Sequence, residues 1–542
     1  MTTTTGAPVV APRQPRSVVA EVQLSGRRTR QLPWLPVVGV ALLAVLVRLP
    51  FLRVSPSPDE GGFLMVAAQW RPGTSLYGDY WVDRPPLLIA MLQPVAGSAD
   101  PVVGLRLLGC VAVVMAVVLA ARLGHLLDVS STSRSLEDRA GRASRWTAMP
   151  VVCAAAAAVF ADCPLFGASY EVDGELLSLP FVLGSLVLSL SALRAHERRT
   201  RLGLWAGAGA TALAAVAVKQ SMLDGFVVAA TLVVWLAFTS GRRRAWEAAA
   251  AVAVGAGLTL AALLGWAAVH GTSPGPLWDA VVTFRSQAGA VIAASAPATN
   301  DARARTLIYS FLASGAGLIL VSALLPSRRP RRSAGLNPDP RLLLIPLLGW
   351  EVLAVALGGS YWLHYLIGLI PGLVLAITTI WAHQPRRRTL VAVALAWATV
   401  LTIVIGTTTL HDAGPASGDV TTEQYLIAHQ RPGDTGVVAF GNPAILQAAS
   451  LPSPYPLLWS LPVRVRDPRL SEFTAVLTSA QPPTWVIVGG ETLTTWGVDS
   501  ASAQAVFDRN YELRTVIGDW HVYHVLANRS GSRQVGQVRL PS

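Results

Sequence analysis

Residues 57–92 read SPDEGGFLMVAAQWRPGTSLYGDYWVDRPPLLIAML and lie between two long apolar stretches. Asp59 and Glu60 form a carboxylate pair behind two prolines, and Asp79, Asp83, Arg84, Pro85 and Pro86 follow after an amphipathic interval. Paired carboxylates can do acid–base work, and a guanidinium can take an anion. Ionisable groups beside a bilayer are costly without a use, so the stretch reads as an active-site loop.

The rest of the chain decides what solvent surrounds that loop. Of 542 residues, 52% are hydrophobic and only 14% charged, with a mean hydropathy of +0.48. Runs such as 37–47, 102–123 and 248–269 approach or reach the roughly 20 residues of a bilayer-spanning helix, so the chain is a polytopic membrane protein. The net charge of +12 comes from arginines clustered in short segments between apolar runs. Membrane topology accounts for them, and nucleic-acid binding is set aside. Cys110, Cys153 and Cys163 all fall in apolar runs and read as small hydrophobes, not as a disulfide framework or metal site. Lys219 is the only lysine, a bias that points to a high-GC bacterial genome.

Spans are expected near 33–51, 102–126, 147–167, 174–193, 203–218, 223–239, 246–269, 305–325, 342–358, 361–382 and 389–410. The first, with Arg48 and Pro50 and no small-residue cleavage site, reads as a signal anchor. With a disordered cytoplasmic tail at 1–31, the connections at 133–145, 194–201, 241–244, 327–333 and 384–388 become cytoplasmic, and all five are arginine-rich. The loop 52–101, a turn at 170–175, the Lys219-Gln220 corner and the loop 270–304 then lie outside. The expected fold is mainly α: about eleven transmembrane helices over 32–411, then a small extracytoplasmic α/β domain over 412–542. In that domain 436–440, 484–490, 513–518 and 520–525 read as strands, and 442–449 and 501–510 as helices. The Gly441-Asn442-Pro443 turn is read as a plain strand-to-helix connection.

The loop DEGGFLMVAAQWRPGTSLYGDYWVDRPPLL resembles the first external loop of the GT-C membrane glycosyltransferases related to protein mannosyltransferases and the lipid A aminoarabinose transferase. Those enzymes show an Asp-Glu pair, Tyr-x-Asp-x-Trp, then an acid before Lys-Pro-Pro. VDGELLSLPF at 172–181, AVAVKQS at 215–221 and GGSYWLHYLIGLIPGLVLA at 358–376 agree in order, so the resemblance covers most of 34–382. Arg84 stands where the family has lysine, which keeps the charge and changes the geometry of a phosphate contact.

The resemblance implies inverting transfer of a sugar from a polyprenyl-phosphate donor to an acceptor hydroxyl on a glycan, lipid or protein at the outer face of the plasma membrane. Such chemistry needs a base for the acceptor and cations for the departing phosphate. Asp59, with Glu60, takes the first role; the alternative is that Asp59 caps the helix behind it. Arg84 and Lys219 take the second, with Arg285, His364 and Tyr365 as further donor contacts. A lysine in an apolar run costs about 2.5–3.5 kcal/mol at the bilayer centre, so the alternative for Lys219 is a snorkelling anchor. His364 and Tyr365 also fit an interfacial aromatic belt. Asp79, Asp83, Asp173 and Glu175 are expected to support the acceptor or the loop, and Glu175 equally to cap its helix. No cofactor is assigned; Asp59, Asp83 and Glu175 are the residues weighed for a divalent metal. Glu351, inside a span, is expected to be protonated or paired with a polar neighbour.

A transporter or flippase would gather its ionisable groups near midplane at a repeat interface, and no internal repeat is present. A non-catalytic envelope scaffold is the other alternative, and the joint presence of Asp59, Arg84 and Lys219 argues against it. Sugar and acceptor are set by pocket shape, which motifs do not reveal. Cysteine labelling should place residues 59, 175 and 450 outside and 140, 243 and 387 inside; a cytoplasmic residue 450 overturns this topology.

Overall fold

The computed structural model describes residues 33–128, 148–167, 170–295, 297–326, 338–412, 418–494 and 497–526. The tail at 1–31 and the connections at 133–145 and 327–333 lie outside the described residues.

Among the described residues, eight helices are long and apolar enough to cross a bilayer: Trp34–Phe51, Pro101–Asp128, Gly174–Arg194, Arg198–Val218, Arg242–Val269, Pro340–Gly358, Leu363–His383 and Pro385–His411. A ninth candidate, Ala298–Ala313 with Ala316–Leu324, is bent by 73°. The break falls at Gly315, whose φ of +84° suits a residue without Cβ. The remaining two expected spans are the shorter apolar helices Met149–Asp162 and Asp224–Thr239. Each expected segment is therefore helical, although only eight or nine meet the length needed to span.

Where apolar side chains face apolar surroundings on every side, close backbone approach and polar pairs hold helices together. Gly209 and Gly255 do the first, since a Cβ on either would run into the backbone of the facing helix at Val252 or Ala206. Arg48 and Asp162 do the second. The guanidinium is 2.7 Å from the carboxylate and also donates to the Ala161 carbonyl at 2.9 Å.

The loop 52–101 is itself largely helical, with Pro58–Gln69 and Pro86–Ala96. Proline stands at the first turn of each, where its missing N–H costs nothing.

The C-terminal domain is a four-stranded sheet of β1 (Gly436–Ala439), β2 (Trp485–Gly489), β3 (Tyr511–Ile517) and β4 (Trp520–Val525) in the order β1-β2-β4-β3. β1 runs parallel to β2, and β4 antiparallel to both its neighbours. All four strands lie where short apolar runs placed them; Gly418–His429, Ser460–Arg466 and Ser471–Thr478 are additional helices. At the turn after β1, Asn442 donates to Asp419 at 3.0 Å, which makes it a structural connection.

This domain sits on the active-site loop. Trp81 donates its N–H to the Pro456 carbonyl at 3.0 Å, and the Tyr80 hydroxyl accepts from the Ser453 N–H at 2.7 Å. A Cβ at Gly61 would collide with Ala444, and one at Gly62 with the Trp459 ring, so the paired glycines set how closely domain and loop approach.

Candidate active site

Ser57 begins the first loop helix by accepting from the Glu60 N–H at 3.4 Å, while Glu60 accepts from the Ser57 N–H at 2.8 Å. This is a capping box, so the cap is Ser57 and not Asp59. Asp59 is the second helical residue, where the positive end of the helix favours its carboxylate, and its side chain keeps 39% of its surface.

Glu60 faces the other way and is 1% exposed. One oxygen pairs with Arg106 and also accepts from the Val172 N–H at 2.7 Å. Arg106 in turn donates to the carbonyls of Tyr170 at 3.0 Å and Val54 at 3.2 Å. The catalytic role expected of Glu60 is corrected: its carboxylate is consumed in fixing the start of the loop to the 170–172 turn.

Asp59 instead faces a chain of alternating charge. Arg84 has one guanidinium nitrogen 3.9 Å from Asp59 and another 2.6 Å from Asp83, whose second oxygen lies 2.5 Å from Arg285. Phe63 lies under the Arg84 guanidinium at 5.3 Å, and Tyr77 donates its hydroxyl to the Arg84 carbonyl at 3.2 Å. Burial pushes the Asp83 carboxyl up, but Arg285, Arg84 and Lys219 together hold it below its ordinary value. Burial disfavours the Arg84 charge, yet Asp83, Asp59 and Glu175 strengthen its hold on the proton.

The helix Arg198–Val218 ends just before Lys219, which turns extended and sends its ammonium to Glu175 at 2.7 Å and over the Tyr365 ring at 5.3 Å. Gln220 reaches back to the Asp83 carbonyl at 2.7 Å, joining this corner to the loop. Lys219 is 8% exposed, which a snorkelling side chain with its head in water would not be. The cap of the helix Gly174–Arg194 is Asp173, which accepts from the Leu176 N–H at 2.9 Å; capping by Glu175 is corrected.

Of the residues weighed for a metal, Asp83 lies between two arginines and Glu175 is held by Lys219. Among the described residues, Glu171, Asp173 and His364 bring ligand atoms within 4.8 Å of one another and could hold a divalent ion. His364 lies 3.6 Å from Asp173, within the electrostatic reach of Glu175 and Lys219. Burial, then Glu175 and Glu171, push the Asp173 carboxyl well above its ordinary value. Asp79 is exposed beside Tyr80 and, among the described residues, forms no ion pair with Arg84, Arg285 or Lys219.

Glu175, Lys219, Arg285 and Tyr365 line a cleft of about 260 Å³ whose walls are otherwise largely apolar, with Ile292 and Val355 among them. The charged groups lining it are the cations Lys219 and Arg285 and the acids Glu175, Asp224 and Glu351. The sequence reading missed Arg106, Glu171 and Asp224. Arg106 and Asp224 carried the same signal as Lys219, a charge in or beside an apolar run.

A bundle of membrane-length helices, a helical loop between the first two of them, and a small α/β domain seated on that loop together define the GT-C membrane fold. Among solved structures, ArnT from Cupriavidus metallidurans bound to undecaprenyl phosphate shares it at a TM-score of 0.58 and 13% identity, over 91% of this chain and 98% of that one. The Archaeoglobus fulgidus oligosaccharyltransferase aligns at a TM-score of 0.48 and 13% identity, over 84% of this chain and 68% of that one. No family model and no curated protein matches the chain.

Breaking the buried pair should destabilise the protein instead of altering chemistry alone. Glu60→Ala strands Arg106 without its carboxylate at a cost of about 3–5 kcal/mol, read as a lower thermal midpoint in detergent. A Glu60→Ala protein that melts like wild type would contradict this assignment.

Proposed function

We propose that the protein is a membrane glycosyltransferase that moves a sugar from a polyprenyl-phosphate donor to an acceptor hydroxyl at the outer face of the cell membrane, in cell-envelope synthesis. The observation that carries this reading is the half-exposed Asp59 carboxylate beside Arg84, linked through Asp83 to Arg285, which with Lys219 lines the cleft. The undecaprenyl phosphate bound to ArnT, a protein of the same fold, supports the choice of donor.

In this reading the donor phosphate lies against Arg84, Arg285 and Lys219, where desolvated cations neutralise the charge that grows as it leaves. Asp59 takes the proton of the acceptor hydroxyl. The acceptor oxygen bonds to the anomeric carbon as the bond to the phosphate oxygen breaks, and this single displacement inverts the centre. The polyprenyl phosphate departs with the electron pair. Each cation is already tied to a carboxylate, so the site is held in place before the donor arrives.

Asp59→Asn should cost about 10²-fold or more in transfer while donor binding and folding are kept, because the amide cannot accept the proton. Near-wild-type turnover would place the base elsewhere.

Lys219→Met should weaken donor use strongly, and Lys219→Arg should recover part of it, since the charge returns with altered geometry. Donor-concentration dependence in a reconstituted assay is the measurement. The same dependence for wild type and Lys219→Met, at matched amounts of folded protein, would exclude the phosphate contact.

A further inference from the structure

Two carboxyl groups in the cleft have no part in the mechanism above. Asp224 begins the helix Asp224–Thr239 and Glu351 lies within Pro340–Gly358; both line the cavity that Lys219 and Arg285 line, and they are 2% and 3% exposed. One oxygen of Glu351 accepts from the Gly372 N–H at 2.8 Å. Its other oxygen, and Oδ1 of Asp224, have no hydrogen-bond partner among the described residues.

The fold takes trouble to keep this arrangement. A Cβ at Gly372 would collide with the Glu351 carboxyl, so a residue without a side chain stands where the carboxyl lies. Trp350 donates to the Ser221 carbonyl at 3.1 Å and fixes the Glu351 helix against the Lys219 corner. The two acids interact electrostatically with each other, and among the described residues neither is paired with an arginine or lysine. Like groups side by side, each with an unmatched oxygen in an apolar wall, add nothing to stability.

We propose that Asp224 and Glu351 form the subsite for the sugar ring of the donor, accepting hydrogen bonds from its hydroxyl or amino groups. This rests on the glycosyl-transfer reading and adds to it the place where the sugar is recognised. A lipid-linked sugar phosphate has three parts, and two are unsuited to this position. The phosphate is repelled by carboxyls and drawn to Lys219 and Arg285, and the isoprenoid tail carries no donor. The sugar carries several. A site built to accept from a given hydroxyl or amine rejects a sugar lacking it, because its own oxygens are then left unpaired, so these acids would set donor choice.

The test compares equilibrium binding of undecaprenyl phosphate with that of mannosyl- and arabinosyl-phosphoundecaprenol to the purified full-length protein. Asp224→Leu and Glu351→Leu should bind the bare lipid phosphate like wild type. They should lose tenfold or more in affinity for the sugar-bearing lipid that wild type prefers. Asp224→Asn and Glu351→Gln, which keep an acceptor oxygen and the shape of the side chain, should keep part of that preference. Unchanged affinity for the sugar-bearing lipid in the leucine variants overturns the subsite, as does an equal loss on the bare lipid in all four variants. A wild type that binds the bare lipid phosphate but gains nothing from either sugar overturns it while leaving the phosphate site standing. A wild type that binds none of the three lipids overturns the glycosyl-transfer reading itself.

Discussion

The Glu60–Arg106 ion pair is the constraint on which the rest of the site depends. Two charges taken out of water repay their desolvation only when geometry and extra hydrogen bonds satisfy what remains of each. Here Glu60 also holds the backbone of Ser57 and Val172, and Arg106 holds the carbonyls of Val54 and Tyr170. One buried pair therefore ties the first loop, the turn before the helix Gly174–Arg194 and the helix Pro101–Asp128 into a single corner. Because Glu60 points inward, its neighbour Asp59 is turned out toward the arginines.

From that corner outward, charge alternates: Asp59, Arg84, Asp83, Arg285 along one line, and Lys219 with Glu175 beside it. Alternation lets cations stand close together in a poorly hydrated place without repelling one another apart. The three acids and three cations balance, and Asp59 is the least closely held of them, at 3.9 Å from Arg84. The carboxylates of Asp83 and Glu175 are matched in this arrangement by arginine and lysine.

Much of this was legible in the sequence. The helical segments follow from long apolar runs, and the four strands from short apolar runs. Asp59, Arg84 and Lys219 stood out because a charge at a membrane needs a reason, and Arg285 joins them in the structure through Asp83. What a linear reading could not supply was direction. Asp59 and Glu60 are adjacent, and helical geometry sends one toward the cleft and the other toward the core, a difference set by partners 46 and 112 residues away. Asp83 was expected to support the loop, but its position between Arg84 and Arg285 was not legible, since proximity in the chain says nothing of which side chains meet. Whether Met149–Asp162 and Asp224–Thr239 span a bilayer is likewise a matter of packing and tilt, not of run length.

The seam between the C-terminal domain and the loop runs through backbone as much as through side chains: Gly61 and Gly62 against Ala444 and Trp459, then Tyr80 and Trp81 against Ser453 and Pro456. Trp81 is only two residues before Asp83, so a displacement of the domain is felt at the arginines within a few bonds. The domain is thus a support for that loop and not a separate appendage. Substitutions in this domain are therefore constrained at the seam, where glycine meets backbone and ring, and are freer on the faces turned away from the loop.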